Sequence, residues 1–184
     1  MTHRVALLAL ASALLCPKTF GQNIEIGAIL GGNFGTDRVG PSGGVEVAGR
    51  FYKGLAVTGR YVYNKREVHE SCFLFSGSCL GVGSYNVHEA MGGLRASFHR
   101  QGFVSPYLSF SAGETHFTGI RVAGVGGTSA APVNGSETHF AWSPGGGVSL
   151  GGSPRFGLKL DFQYVRPEGA NWYSRASVGV VFRL

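Results

Sequence analysis

Charge is scarce in this 184-residue chain: 14% of its residues are Asp, Glu, Lys or Arg, against about 25% in an average soluble domain. Only seven residues are proline and three are cysteine. Beyond the N-terminus no apolar run approaches the ~20 residues a spanning helix needs, which excludes a helical membrane protein. Low charge does not mean disorder here. Phe, Tyr, Trp and β-branched residues recur along the whole chain and supply enough apolar area to offset the ordering entropy. Glycine is abundant instead, with 31 residues, more than twice the usual ~7%, yet without the Gly-x-y period of collagen. The size fits one domain.

The N-terminus has the layout of an export signal. Met1-Thr2-His3-Arg4 is a basic start, Val5 to Leu15 is an apolar core of secretory length, and Thr19-Phe20-Gly21 places small residues at the −3 and −1 positions. Cleavage before Gln22 is predicted, so residues 1–21 are a removed signal peptide and 22–184 the folded domain. Leu14-Leu15 stand before Cys16 where a lipid-modification site prefers a small residue. Taking Arg4 and Lys18 from the 16 basic residues leaves 14 against 10 acidic, a net +4 with no Lys/Arg cluster. A nucleic-acid partner is therefore not expected. Cys72 and Cys79 remain in an oxidising context and bracket a short Ser-Gly-containing segment, which predicts a disulfide.

The rest of the chain alternates with period two, the signature of strands. Phe156, Leu158, Leu160, Phe162 and Tyr164 share one face, and Gly157, Lys159, Asp161 and Gln163 the other. Ala176, Val178, Val180, Phe182 and Leu184 likewise oppose Arg175, Ser177, Gly179, Val181 and Arg183. The pattern recurs from Ile24, Val45, Leu55, His88, Val104 and Phe140, giving eight strands of roughly ten residues. Their second face decides the class. It mixes small residues with Glu25, Glu46, Glu89 and Asp161 and with Arg50, Arg60, Arg95, Lys159, Arg175 and Arg183. A narrow barrel lumen needs this mixture, because small residues leave room and buried charges must pair.

Connection lengths give an independent reading. They run about 9 (Phe34 to Ser42), 3 (Tyr52 to Gly54), 22 (Lys65 to Asn86), 4 (His99 to Gly102), 21 (His116 or Phe117 to Glu137), 4 (Gly152 to Arg155) and about 8 residues (Val165 to Trp172), long and short in alternation. An outer-membrane barrel has short inner turns and long outer loops. An even strand number leaves both ends of the mature chain at the inner mouth. Aromatics at strand ends, among them Phe51, Tyr52, Tyr61, Tyr63, Phe98, Phe103, Phe140, Trp142, Phe156, Tyr164, Trp172, Tyr173 and Phe182, would form two interfacial girdles. The expected fold is all-β, an eight-stranded antiparallel up-and-down transmembrane β-barrel. Its address would be the bacterial outer membrane.

From about Asn23 to Leu184 the chain resembles the small outer-membrane β-barrel domain family, the OmpA/OmpX-like and opacity-protein-like barrels. The Trp142-Ser143-Pro144-Gly145-Gly146-Gly147-Val148 strand, the Phe156 to Tyr164 strand and the end Ser177 to Leu184 carry the likeness. The resemblance implies contact with outer-membrane lipid and lipopolysaccharide, recognition of the last strand by the barrel-assembly machinery, and a monomer. Family members usually end in an aromatic residue; this chain ends in Leu184, with the aromatic at Phe182. On this resemblance the peptidoglycan-binding domain of the full-length OmpA-like members is not expected here. The long loops are expected to meet an external ligand.

Chemistry is hard to place. Gly113-Glu114-Thr115-His116-Phe117 and Ser136-Glu137-Thr138-His139-Phe140 flank the third long loop, so His116 and His139 would face each other across a hairpin and, with the two Glu, offer zinc ligands. Alternation opposes this by putting Glu and His on opposite faces. A lipid A deacylase or acyltransferase would need Ser, His and an acid converging on the lipid side. His88 and Glu89 are adjacent and diverge, and His99 falls in an inner turn. Gly124 to Ser129 lacks the Lys and the strand-to-helix setting of a phosphate loop. No catalytic, cofactor-binding or metal residue is assigned. The expected role is non-enzymatic, structural or surface-interacting, without a large open pore, the alternatives being a lipid A-modifying barrel enzyme or a secreted lipocalin-like binder. Intact-mass analysis of protein taken from the envelope should give a chain beginning at Gln22, with Cys72 and Cys79 inaccessible to alkylation until reduced.

Overall fold

The computed structural model describes residues 24–35, 40–68, 83–98, 103–122, 136–151 and 155–184. Cys16, Cys72, Cys79, His99 and the Gly124 to Ser129 segment lie outside them. The described residues form eight strands: β1 (Ile24–Gly35), β2 (Gly40–Tyr52), β3 (Leu55–Val68), β4 (Gly83–Ser97), β5 (Val104–Val122), β6 (Glu137–Gly151), β7 (Phe156–Pro167) and β8 (Tyr173–Arg183). Each pairs antiparallel with its sequence neighbour, and β1 closes on β8 from Glu25 opposite Arg183 to Gly35 opposite Tyr173. This is the eight-stranded antiparallel barrel that the alternation predicts. Closure gives every strand two neighbours, so no backbone edge is left for lipid to face.

Alternation fixes which side of the wall each residue occupies. In β7 exposed and buried positions alternate almost without a break. The outward set includes Leu30, Val45, Leu94, Leu108, Phe110, Leu158, Phe162, Val178 and Val180, all large, apolar and exposed. The inward set includes Glu25, Glu46, Glu89, Arg95, Lys159, Asp161 and Arg175, all buried. An apolar exterior around a charged interior identifies a transmembrane barrel and inverts the soluble sandwich.

The tightest hairpin turns at Lys53 and Gly54. Gly54 takes a φ of 79°, which side-chain-bearing residues avoid, and a Cβ there would come within 2.6 Å of the Ser97 carbonyl. At this end of the barrel, which also holds Ile24 and Leu184, the strands are joined by short links.

At the opposite end the strands run well past their expected limits. They are 11 to 19 residues long rather than roughly ten, with β5 the longest. Residues expected in links are paired instead: Gly40 with Asn33, Lys65 with Asn86, and Arg121 with Ser84. Hydrophobic alternation records only where side chains meet lipid. The hydrogen-bond ladder needs backbone groups alone and continues after the outward side chains turn polar.

Leu160 is exposed on the outer wall near the middle of β7. Leu160→Arg should cost about 2–4 kcal/mol of bilayer stability, and Phe34→Arg, at the far end of β1, only about 0–1. Urea titration of protein folded into vesicles reads both. Equal tolerance of the two would contradict the outward assignment.

Candidate functional site

Two regions collect the polar side chains that could do more than close the barrel. The first is the lumen. All ten charged residues expected on the inner face are held in ion pairs. Glu25 accepts from Arg50 at 2.8 Å, from Arg183 at 3.3 Å and from Arg95. Glu46 accepts from Arg60 and Lys159 and, at 3.3 Å, from Arg95. Arg60 also reaches Asp161 at 2.9 Å. Arg95 and Arg60 therefore each bridge two carboxylates, and the lower and middle tiers become one network. Nearer the far end, Glu89 receives Arg175 at 2.7 Å, the Tyr173 hydroxyl at 2.6 Å and the Asn64 amide. Asn64 in turn accepts from Asn33 at 2.8 Å.

Neutral groups fill the gaps. The Tyr107 hydroxyl donates to Asp161 at 2.7 Å, and its ring lies under Lys159 at 4.9 Å. Gly147 makes that possible. A Cβ there would stand 2.5 Å from the Tyr107 hydroxyl and 2.0 Å from the Leu160 carbonyl. Gln163 accepts from Ser143 at 2.7 Å and donates to Ser109 at 3.0 Å. A void of about 10 Å³ remains beside Glu25, Glu46 and Lys159, scarcely enough for one water. The lumen is thus a packed polar core.

Sequence reading missed two members of this core. Tyr173, expected in an aromatic girdle, is fully buried and bonded to Glu89. Its parity with Arg175 and Ser177 was the available signal. Arg66, expected in a long link, is buried in β3 with its guanidinium 4.1 Å from the centre of the Tyr173 ring.

The second region is the outer wall of β3 to β6 toward the far end. His116 does not face His139: the register sets His116 opposite Thr138 and Thr115 opposite His139, so the two imidazoles lie on opposite sides of the wall. The zinc arrangement across the hairpin is therefore not formed. His139 points inward, against Phe117 at 5.5 Å and Glu137 at 3.2 Å. His116 points outward, its Nδ1 2.7 Å from the Thr138 hydroxyl. Its cross-strand partner His88 has its ring centre 6.4 Å away and its Nδ1 2.7 Å from the Tyr61 hydroxyl. Tyr63 covers His88 at 5.2 Å and donates to Asn86 at 2.9 Å. Glu89, inside, cannot serve His88. Among the described residues no group of three or more His, Cys, Asp or Glu could hold a metal ion. Farther around the same rim, Trp142, Tyr164 and Trp172 are in ring contact at 6.1 and 5.4 Å and form an aromatic arc.

No protein-family model matches the sequence, and no curated protein matches it. Solved structures do. Neisserial surface protein A aligns with a TM-score of 0.62 at 15% identity, over 88% of this chain and 96% of its own. The N-terminal β-barrel domain of Pseudomonas aeruginosa OprF gives 0.57 at 14%, over 89% and 98%. Ail of Yersinia pestis, solved in complex with the heparin analogue sucrose octasulfate, gives 0.54 at 17%, over 88% and 97%. At these identities the likeness is one of fold.

Removing Arg60 takes from buried Asp161 its cation and from Glu46 one of three, and removing Arg95 takes one of three from each of Glu25 and Glu46. Arg60→Ala and Arg95→Ala should each cost about 3–5 kcal/mol. Arg50, whose side chain is 41% exposed, should cost under about 1 kcal/mol when replaced by Ala. Urea unfolding of the three variants in the same detergent gives the ranking, and equal stabilities would refute the network's role.

Proposed function

We propose that this protein is a non-enzymatic barrel of a bacterial outer membrane, with a structural or surface-interaction role and no open pore. The observation that carries this reading is the pairing of an apolar exterior with a lumen packed by bridged ions. A pore-former would keep those charges in water, and a lipocalin-like binder would keep an apolar cavity. Residues 1–21 are the cleaved export signal, the last strand addresses the chain to the assembly machinery, and the protein stands as a monomer among lipid and lipopolysaccharide. Cys72 and Cys79 form a disulfide within an external loop. Short links at the end holding Ile24 and Leu184 support an inner, periplasmic placement of that end.

The alternative of a lipid A-modifying enzyme has less support. The hydroxyl partners of His88 and His116 are those of Tyr61 and Thr138, and the acid that approaches an imidazole, Glu137, is bonded to His139 on the inner side of the wall. The external loops suit contact with a partner outside the cell. A barrel of this fold, Ail, is known in complex with a polysulfated sugar, which supports a surface-binding role without naming a ligand here.

In the outer-membrane fraction the unheated protein should migrate faster than the boiled protein on a denaturing gel. Reconstituted in planar bilayers, it should give no steady conductance. Protease added to intact cells should cut between Lys65 and Asn86. Partition into the soluble fraction, or large stable channels, would overturn the reading.

A further inference from the structure

We propose that the outer wall of β3 to β5 carries a phosphate-binding site for a phosphorylated, acylated glycolipid of the outer leaflet; this rests on the outer-membrane reading above. Position is the first argument. A tilted strand crosses the hydrocarbon in about 9–11 residues. Counted from the end that holds Ile24 and Leu184, this brings β3 to about Lys65, β4 to about His88, β5 to about Glu114 and β6 to about Ala141. The His88 and His116 pair therefore sits where acyl chains give way to headgroups.

The second argument is the chemistry of this arc. On β6, β7 and the link before β8 the rim carries Trp142, Tyr164 and Trp172 with one exposed cation, Arg166, opposite Trp142, whereas β3 to β5 present Lys65, Asn86, His88 and His116 together. Lys65 is exposed, between inward-facing Asn64 and Arg66, and pairs with Asn86 in the register. Each Nδ1 is held 2.7 Å from a hydroxyl, that of Tyr61 for His88 and that of Thr138 for His116; in the tautomer in which those hydroxyls donate, both imidazoles present an N–H at Nε2. Two N–H donors on neighbouring strands and an ammonium group then face the same layer. Phosphate oxygens accept from such donors, and the charge of Lys65 favours an anion over a neutral sugar. Glu114, the acid of this arc among the described side chains, is paired with Ala90 and Phe140, one register step toward the acyl chains and away from Lys65. The Tyr61 and Tyr63 rings flank His88 and offer an apolar face to a sugar ring.

The test uses the refolded mature chain in a nonionic detergent, with bisphosphorylated lipid A and its enzymatically dephosphorylated form as probes. Native mass spectrometry counts the bound lipid. The phosphorylated probe should bind at least about tenfold more tightly, and His88→Ala with His116→Ala should remove about that factor, as should Lys65→Gln in part. His139→Ala, inside the wall, should bind like the parent. Equal binding of the two probes, or unchanged binding by the double variant, overturns the site, as does retention that requires zinc and is lost to EDTA. Heat-modifiable migration of each variant shows that its barrel is intact, so loss of selectivity then counts against the site alone. A parent chain that forms no heat-resistant barrel in bilayers fails the outer-membrane reading instead.

Discussion

The structure depends on one constraint: inside hydrocarbon no backbone N–H or C=O can go without a partner. The seam between β1 and β8 satisfies it. Eleven residues of one terminal strand region face the other, from Glu25 opposite Arg183 to Gly35 opposite Tyr173, and with this seam the sheet has no first or last strand. Once closed, the wall has two environments of opposite polarity a few ångströms apart. Side chains must sort between them by parity, because successive residues point to opposite faces.

Sorting creates a second problem, since eight strands enclose too little space for water to solvate four carboxylates and their partners. The chain resolves it by sharing. Glu25 and Glu46 each meet three cations, and Tyr107 serves Asp161 with its hydroxyl and Lys159 with its ring. Glycines such as Gly147 set aside the volume these long side chains fill. Burying ions in this way is weak evidence of added stability over an apolar core. Here, however, an apolar interior within an apolar exterior would remove the contrast that tells each strand which face belongs outside.

The barrel, its strand number and the inward set of ten charges were all legible in the alternation, because lipid and lumen write opposite residue types at consecutive positions. Partnerships were not, since Lys159 and Glu46 are joined by barrel curvature across 113 residues. Strand ends were misread where the outward face turns polar: Arg66 and Arg121 looked like loop residues although the ladder passes through them. The Glu-Thr-His-Phe repeat was visible, yet its meaning turned on register. Pairing Thr115 with His139 rather than His116 with His139 moves the two imidazoles to opposite sides of the wall, and no local sequence signal sets that choice. The pairing of His88 with His116 was hidden for the same reason.

The lumen network also bears on how the chain reaches its final state. Its bonds join residues far apart in sequence: Glu25 to Arg95 across 70 positions, to Arg183 across 158. Contacts of such separation form only after most of the chain has been ordered, and they carry the entropic delay of non-local pairing. A sheet still open between β1 and β8 holds Glu25 on one margin and Arg183 on the other, without the contact that joins them and adds a third cation to Glu25. The event that joins the margins is therefore also the event that expels water from the interior. Strand closure thus completes two things at once, the backbone ladder of the wall and the set of cations around Glu25.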